Sequence, residues 1–107
     1  MPMLKLARRL AKKSTHRQHL HASIVARGGN IVSCGYNHER IHAETMALSK
    51  LWPSERVGTT VWSIRVSKSG RLGMAKPCSK CMSFLVASRV KQVFFSNASG
   101  EIERLKI

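Results

Sequence analysis

Acidic residues are scarce in this chain: aspartate is absent, glutamate occurs five times, and the first 38 residues contain neither. Nineteen lysines and arginines stand against those five, for a formal charge of +14. A surface that serves only solubility mixes both signs, so an imbalance this large points to a polyanionic partner, nucleic acid first among them. Cysteine is rare too, and three of them exclude an even disulfide framework. Two form a Cys-x-x-Cys pair that metal explains better than oxidation does. A reducing compartment is therefore expected, cytoplasmic or nuclear and not secreted. No apolar run approaches the roughly 18 residues needed to cross a bilayer, and charge interrupts the N-terminus too often for a secretory signal. The acid-free start has the composition of a mitochondrial transit segment, but it also holds strand-forming residues that a domain needs. Internal repeats and low-complexity stretches are missing. At 107 residues and 43% hydrophobic, the chain is expected to form one domain over 1–107, with no room for a second core.

What is present reads as alternating helix and strand. Met3 to Lys13 predicts a helix inside a basic amphipathic segment, 1–14, with Met3, Leu6, Ala7 and Leu10 on one face. Lys5, Arg8, Arg9, Lys12 and Lys13 line the other face. His21 to Arg27 and Ile31 to Tyr36 are β-prone runs joined by Gly28-Gly29-Asn30, which predicts a hairpin. A helix is expected from His42, carried by Ala43, Met46, Ala47, Leu48 and Leu51 and ended by Pro53. Thr60 to Ser67 predicts a third strand, with a turn at Ser69-Gly70. A second helix should open around Cys78, followed by strands over Gln92 to Ser96 and Ile102 to Ile107. This order predicts an α/β fold, a mixed sheet covered by helices. Cys34 is expected to be a buried strand residue.

Chemistry concentrates at two places, His42-Ala43-Glu44 and Pro77-Cys78-Ser79-Lys80-Cys81. One imidazole and two thiolates are three zinc ligands, which leaves the fourth tetrahedral position for water, as in catalytic sites. Glu44 follows the histidine by two residues, near enough to handle protons there without binding the ion. Cys78 and Cys81, at i and i+3 on an opening helical turn, project to one side, where the helix dipole favours thiolates. Pro77 suits a helix start because its missing N–H needs no partner. A lone Cys-x-x-Cys would leave a structural zinc site or a redox pair open, but neither explains His42 and Glu44. His16, His19 and His21 are expected to be exposed polar residues, since no Cys or carboxylate beside them completes a second metal site.

At these residues the chain resembles the cytidine and deoxycytidylate deaminase superfamily. The stretch His42-Ala43-Glu44-Thr45-Met46-Ala47-Leu48 is similar to the first zinc motif of its deoxycytidylate and tRNA-adenosine branches. Pro77 to Cys81, with Ser88-Arg89-Val90-Lys91-Gln92-Val93-Phe94-Phe95, is similar to the second motif and the passage after it. The resemblance implies a three-layer fold with a five-stranded mixed sheet, Zn2+ on His42, Cys78 and Cys81, and Glu44 as the catalytic proton shuttle. It also implies a sugar contact at Asn37, with Tyr36 and His38 beside it as further candidates for substrate binding. Lys76 stands where one branch often has glutamate, adding positive charge near the pocket.

The reaction so implied is hydrolytic deamination of an amino-substituted heterocycle. Cytosine in single-stranded DNA or RNA is the first expectation, with Lys5, Arg8, Arg9, Lys12, Lys13, Arg71, Lys76 and Lys80 as candidate phosphate contacts. Arg65 and Lys68 add to the charge on that approach. Aromatic platforms are few: Tyr36, Trp52 and Trp62, the last better suited to a core. Free cytidine or deoxycytidylate is the alternative substrate, and adenine in tRNA is open by the same chemistry. A catalytically silent nucleic-acid-binding module is a further alternative, against which Glu44 argues. No membrane partner is expected, and the sequence leaves the oligomeric state open.

Overall fold

A computed structural model of the chain describes residues 2–13, 20–37, 42–67 and 69–107. Its elements run α1 Pro2–Ala11, β1 Leu20–Arg27, β2 Asn30–Tyr36, α2 Ala43–Ser49, α3 Pro53–Arg56, β3 Thr60–Val66, β4 Leu72–Gly73, α4 Ser79–Ala87, β5 Gln92–Ser96 and β6 Ile102–Lys106. The strands form one mixed sheet in the order β2-β1-β3-β5-β6, with β4 on the end of β3. β3 and β5 are parallel and joined through α4, while the other pairs are antiparallel. The three-layer α/β arrangement is the one expected.

Side chains alternate across the strands, so one sequence feeds two cores. Ala22, Ile24, Ile64 and Val66 pack against Ala7, Leu10 and Ala11 of α1. Val25, Val61 and Val93 meet Ala47 and Leu48 of α2 and Leu85 of α4 on the opposite face. Both faces of β1 are therefore covered, and its residues from His21 to Ala26 are all buried. Trp62 stacks on Phe94 with ring centroids 4.4 Å apart and packs against the α1 core, as its place in a strand predicts. Cys34 is half-buried against the same core.

Two boundaries differ from expectation for local reasons. Helix α2 ends at Ser49, and Pro53 begins the short α3 instead of closing the earlier helix. Proline is well suited to a first helical position, where its fixed φ is already helical and its missing N–H would have had no partner. The turn after β3 folds back as a hairpin, and the two residues of β4 pair with Arg65 and Val66. So short a strand carries no periodicity to read.

The placement of α2 depends on Gly35. A Cβ there would come 2.7 Å from the Ala47 nitrogen and 2.8 Å from the Ala43 oxygen, so the helix backbone rests directly on β2. The Ser33 hydroxyl donates to the Ala47 carbonyl at 2.6 Å and ties the same two elements. Gly35→Ala is expected to force α2 outward, destabilising the fold by about 1–3 kcal/mol as overpacking does. Chemical denaturation will show this as a lower midpoint with an unchanged slope, and an unshifted midpoint would deny the close approach.

Candidate metal centre

Helices α2 and α4 each begin at a residue that does not cap its helix. His42 and Cys78 occupy the two N-cap positions in extended conformation, and neither side chain makes a cap hydrogen bond. Serine, threonine, aspartate or asparagine at such positions contributes about 1 kcal/mol, so these positions forgo local stability. What they supply is a donor cluster. The Cys81 Sγ lies 3.4 Å from His42 Nδ1, and the ligand atoms of His42, Cys78 and Cys81 all lie within 4.8 Å of one another. His42 and Cys78 are exposed and Cys81 is buried, so the cluster opens to solvent on one side. It is the only group of metal-binding side chains of this kind among the described residues.

The two thiols are poised differently. The Cys78 thiol is lowered, first by the Cys81 backbone N–H. Burial and the nearby negative charge of Glu44 push the Cys81 thiol up to about 12. A donor set of one imidazole and two thiols fits zinc, whose charge compensates both thiolates. Glu44 lies close to the same site, near enough for its charge to act on the Cys81 thiol. It is 1% exposed, and its Oε2 is buried without a hydrogen-bond partner among the described residues. A carboxylate oxygen left without a partner near these donors could take a proton from a water held there.

The other oxygen is fully engaged. The Ser63 hydroxyl lies 2.7 Å from Glu44 Oε1 and 2.8 Å from the Ala75 carbonyl, so one proton has two acceptors in reach. His21 Nε2 lies 2.6 Å from Ser63 Oγ and 3.2 Å from Glu44 Oε1. Since Ser63 donates its proton, its oxygen accepts from His21, which assigns the hydrogen to Nε2. Burial would raise the Glu44 carboxyl, but hydrogen bonding and charge from His21 and a bond from Ser63 outweigh it. The group is held down to about 2.

His21 corrects an expectation. It is not an exposed polar residue but 7% exposed, at an inward position of β1. With Ser23 and Val25 it alternates toward the α2 face, while Ala22 and Ile24 face α1. The signal in the sequence was that alternation, because polar residues at inward strand positions require partners. Ser63 was missed for the same reason. His16, His19, His38 and Lys68 lie outside the described residues.

Asn37 is close to this network. Its Oδ1 accepts from the His21 N–H at 3.0 Å, and its own N–H donates to the His21 carbonyl at 3.0 Å. Tyr36 is half-buried, with its N–H toward the Met46 sulfur at 3.5 Å. Lys76 and Lys80 are exposed on either side of Cys78. Lys5, Arg9, Lys12, Lys13 and Arg71 are exposed as well. Arg8 donates to the Gly70 carbonyl and docks α1 on the β3–β4 turn. Helix α1 packs on the sheet face opposite to α2 and α4, so its cations are not gathered around the donor cluster.

The sequence matches the model of the cytidine and deoxycytidylate deaminase zinc-binding region over residues 2–97. Among solved structures, RibD of Acinetobacter baumannii is similar in two forms. One has 20% identity and a TM-score of 0.67 over 90% of this chain and 27% of that one. The other has 21% and 0.66 over 88% and 26%. This chain thus spans about a quarter of the RibD length. The dCMP deaminase of cyanophage S-TIM5, in apo form, is 22% identical, with a TM-score of 0.69 over 90% of this chain and 80% of that chain. At such identities the likeness is one of fold. No curated protein matches the sequence.

Because Cys81 keeps its proton up to about 12, metal uptake must displace it. Zinc affinity should therefore rise about tenfold or more per pH unit between roughly pH 6 and pH 8. Competition against a chelator of known pH dependence measures this, and a flat profile would contradict thiolate ligation. His42→Ala and Cys81→Ala are each expected to abolish stoichiometric zinc.

Proposed function

The chain belongs to the cytidine and deoxycytidylate deaminase zinc-binding family, and from that premise we propose that it hydrolyses the exocyclic amine of cytosine in single-stranded nucleic acid, giving uracil and ammonia. His42, Cys78 and Cys81 would hold zinc, which would make a water at the site acidic enough to attack near neutral pH. Glu44 would take one proton from the attacking water through Oε2 and pass it to the ring nitrogen, then take the remaining proton of the added hydroxyl and pass it to the departing amine, so that both protons of the water are accounted for. Its lowered pKa keeps the carboxylate deprotonated before substrate arrives. The carboxylate is anionic across the neutral range.

The observation that supports a polymeric substrate is the charge. Lys76 and Lys80 flank Cys78 in sequence, the chain carries +14, and further exposed cations lie on α1, in the turn after it and at Arg71 in the β3–β4 turn. A free nucleotide presents a single phosphate group, so most of this charge would have no task. Polynucleotide binding gives it one, through release of condensed counterions. The second reading, deamination of deoxycytidylate, is favoured by the likeness to a dCMP deaminase that spans 80% of that protein.

Zinc-loaded protein incubated with single-stranded DNA, RNA, tRNA and deoxycytidylate, with products read by mass spectrometry, separates these readings. Uracil formed in a polynucleotide is expected, and turnover of deoxycytidylate alone would reject the polymer. Glu44→Ala should keep zinc and lose turnover; an active variant would refute the assigned proton path. Arg9→Glu with Lys12→Glu should weaken polymer binding and flatten its log–log salt dependence by about 0.7 for each phosphate no longer neutralised. An unchanged slope would exclude α1 from the interface.

A further inference from the structure

His21 and Ser63 stand outside the His-x-Glu and Cys-x-x-Cys motifs, and their side-chain hydrogen bonds run to each other, to Glu44 and to the Ala75 carbonyl. Both are buried, His21 at 7% and Ser63 at 0% exposure, within a core otherwise filled by Val25, Val61, Val93, Leu48 and Leu85. Burying two polar side chains in such surroundings is unfavourable unless each finds partners. Both find the same one. Ser63 Oγ and His21 Nε2 converge on Glu44 Oε1 at 2.7 and 3.2 Å, and 2.6 Å separates them from each other. Oε2 is left buried and without a partner among the described residues.

We infer that His21 and Ser63 are positioning residues for the reaction: they clamp one oxygen of Glu44 and so aim the other at the water and the base. The inference rests on the deaminase reading above and adds to it two residues from the sheet. A glutamate has three rotatable bonds, and fixing one carboxylate oxygen from two strands removes the freedom the last of them would have. Strand register sets the clamp. β1 and β3 pair with Ser23 opposite Ser63 and His21 opposite Arg65, so His21 and Ser63 are diagonal neighbours on one face.

Ser63 extends the clamp to the second ligand segment. Its hydroxyl also lies 2.8 Å from the Ala75 carbonyl, two residues before Pro77, and the Ala75 N–H donates to the Ser96 carbonyl at 2.8 Å. The side chain therefore sits between the helix that carries Glu44 and the loop that delivers Cys78. His21 is held in turn by Asn37, whose side chain and backbone pair with both of its backbone groups.

The test uses zinc-loaded full-length protein and the substrate on which it is most active. His21→Leu should lower kcat about 10²-fold, the size of effect that slight misplacement of a reacting group produces, with KM within a few-fold and zinc at one per chain. His21→Gln, which can bring an N–H to the position of Nε2, should recover at least tenfold of that loss. Ser63→Ala should behave as His21→Leu does. A spectroscopic measurement stands apart from turnover: the His21 Nε2–H signal in proton–nitrogen NMR should shift on Glu44→Gln and on Ser63→Ala. If His21→Leu does not fold, His21→Gln and Ser63→Ala decide the kinetics. Wild-type kcat in zinc-loaded His21→Leu or Ser63→Ala would overturn the inference. So would a ring signal indifferent to Glu44→Gln, or losses confined to KM. A wild-type protein that turns over none of the substrates fails the deaminase reading and not the clamp, which the ring signal then decides.

Discussion

An ionised carboxylate at 1% exposure has lost nearly all its water, which costs several kcal/mol unless the protein replaces that hydration. Glu44 is tolerated because three sources of positive potential surround it. His21 and Ser63 donate from the sheet, and the first turn of α2 presents its N–H groups and the positive end of the helix dipole. Each of these holds the charged form in place. The same charge adds to burial in raising the Cys81 thiol, so the carboxylate and a thiolate there oppose each other, a conflict that a cation on the donor cluster would relieve.

The cation is reached only because two helix starts meet. Helix α2 lies directly on β2 through Gly35, and α4 follows a loop pinned to β5 by the Ala75–Ser96 bond. These attachments place two uncapped N-termini side by side, where His42 and Cys78 need not compete for backbone N–H groups. A capping serine in either place would stabilise its helix and leave the cluster one ligand short. Local stability is thus traded for a donor set, which is common where a site violates a local preference.

The excess of positive charge is spread over the molecule and not focused on the donor cluster. Helix α1 buries Ala7, Leu10 and Ala11 against the sheet and leaves Lys5 and Arg9 in solvent, and Lys12 and Lys13 are exposed in the turn after it. Arg8 is the exception, since it fastens the helix to Gly70. Such a distribution attracts a long polyanion from several directions and raises its encounter rate, with little bearing on the chemistry at the metal.

The metal donor cluster and the order of elements were legible in the sequence because each rests on local rules. Ligand spacing, helix periodicity, and the Gly28-Gly29 turn all depend on residues a few positions apart, and the strands and helices they imply were recovered within about two residues at most ends. The roles of His21 and Ser63 were not legible. They lie 42 residues apart and meet only through the register of β1 on β3, so nothing near either one announces the other. The same holds for Gly35, whose need for a missing Cβ comes from a helix packed across it. The amino-acid sequence by itself determined which groups could bind the metal and how the chain alternates. Tertiary structure alone decided which polar residues were brought inside to hold Glu44, because pairing between distant strands is a property of the folded sheet and not of either segment.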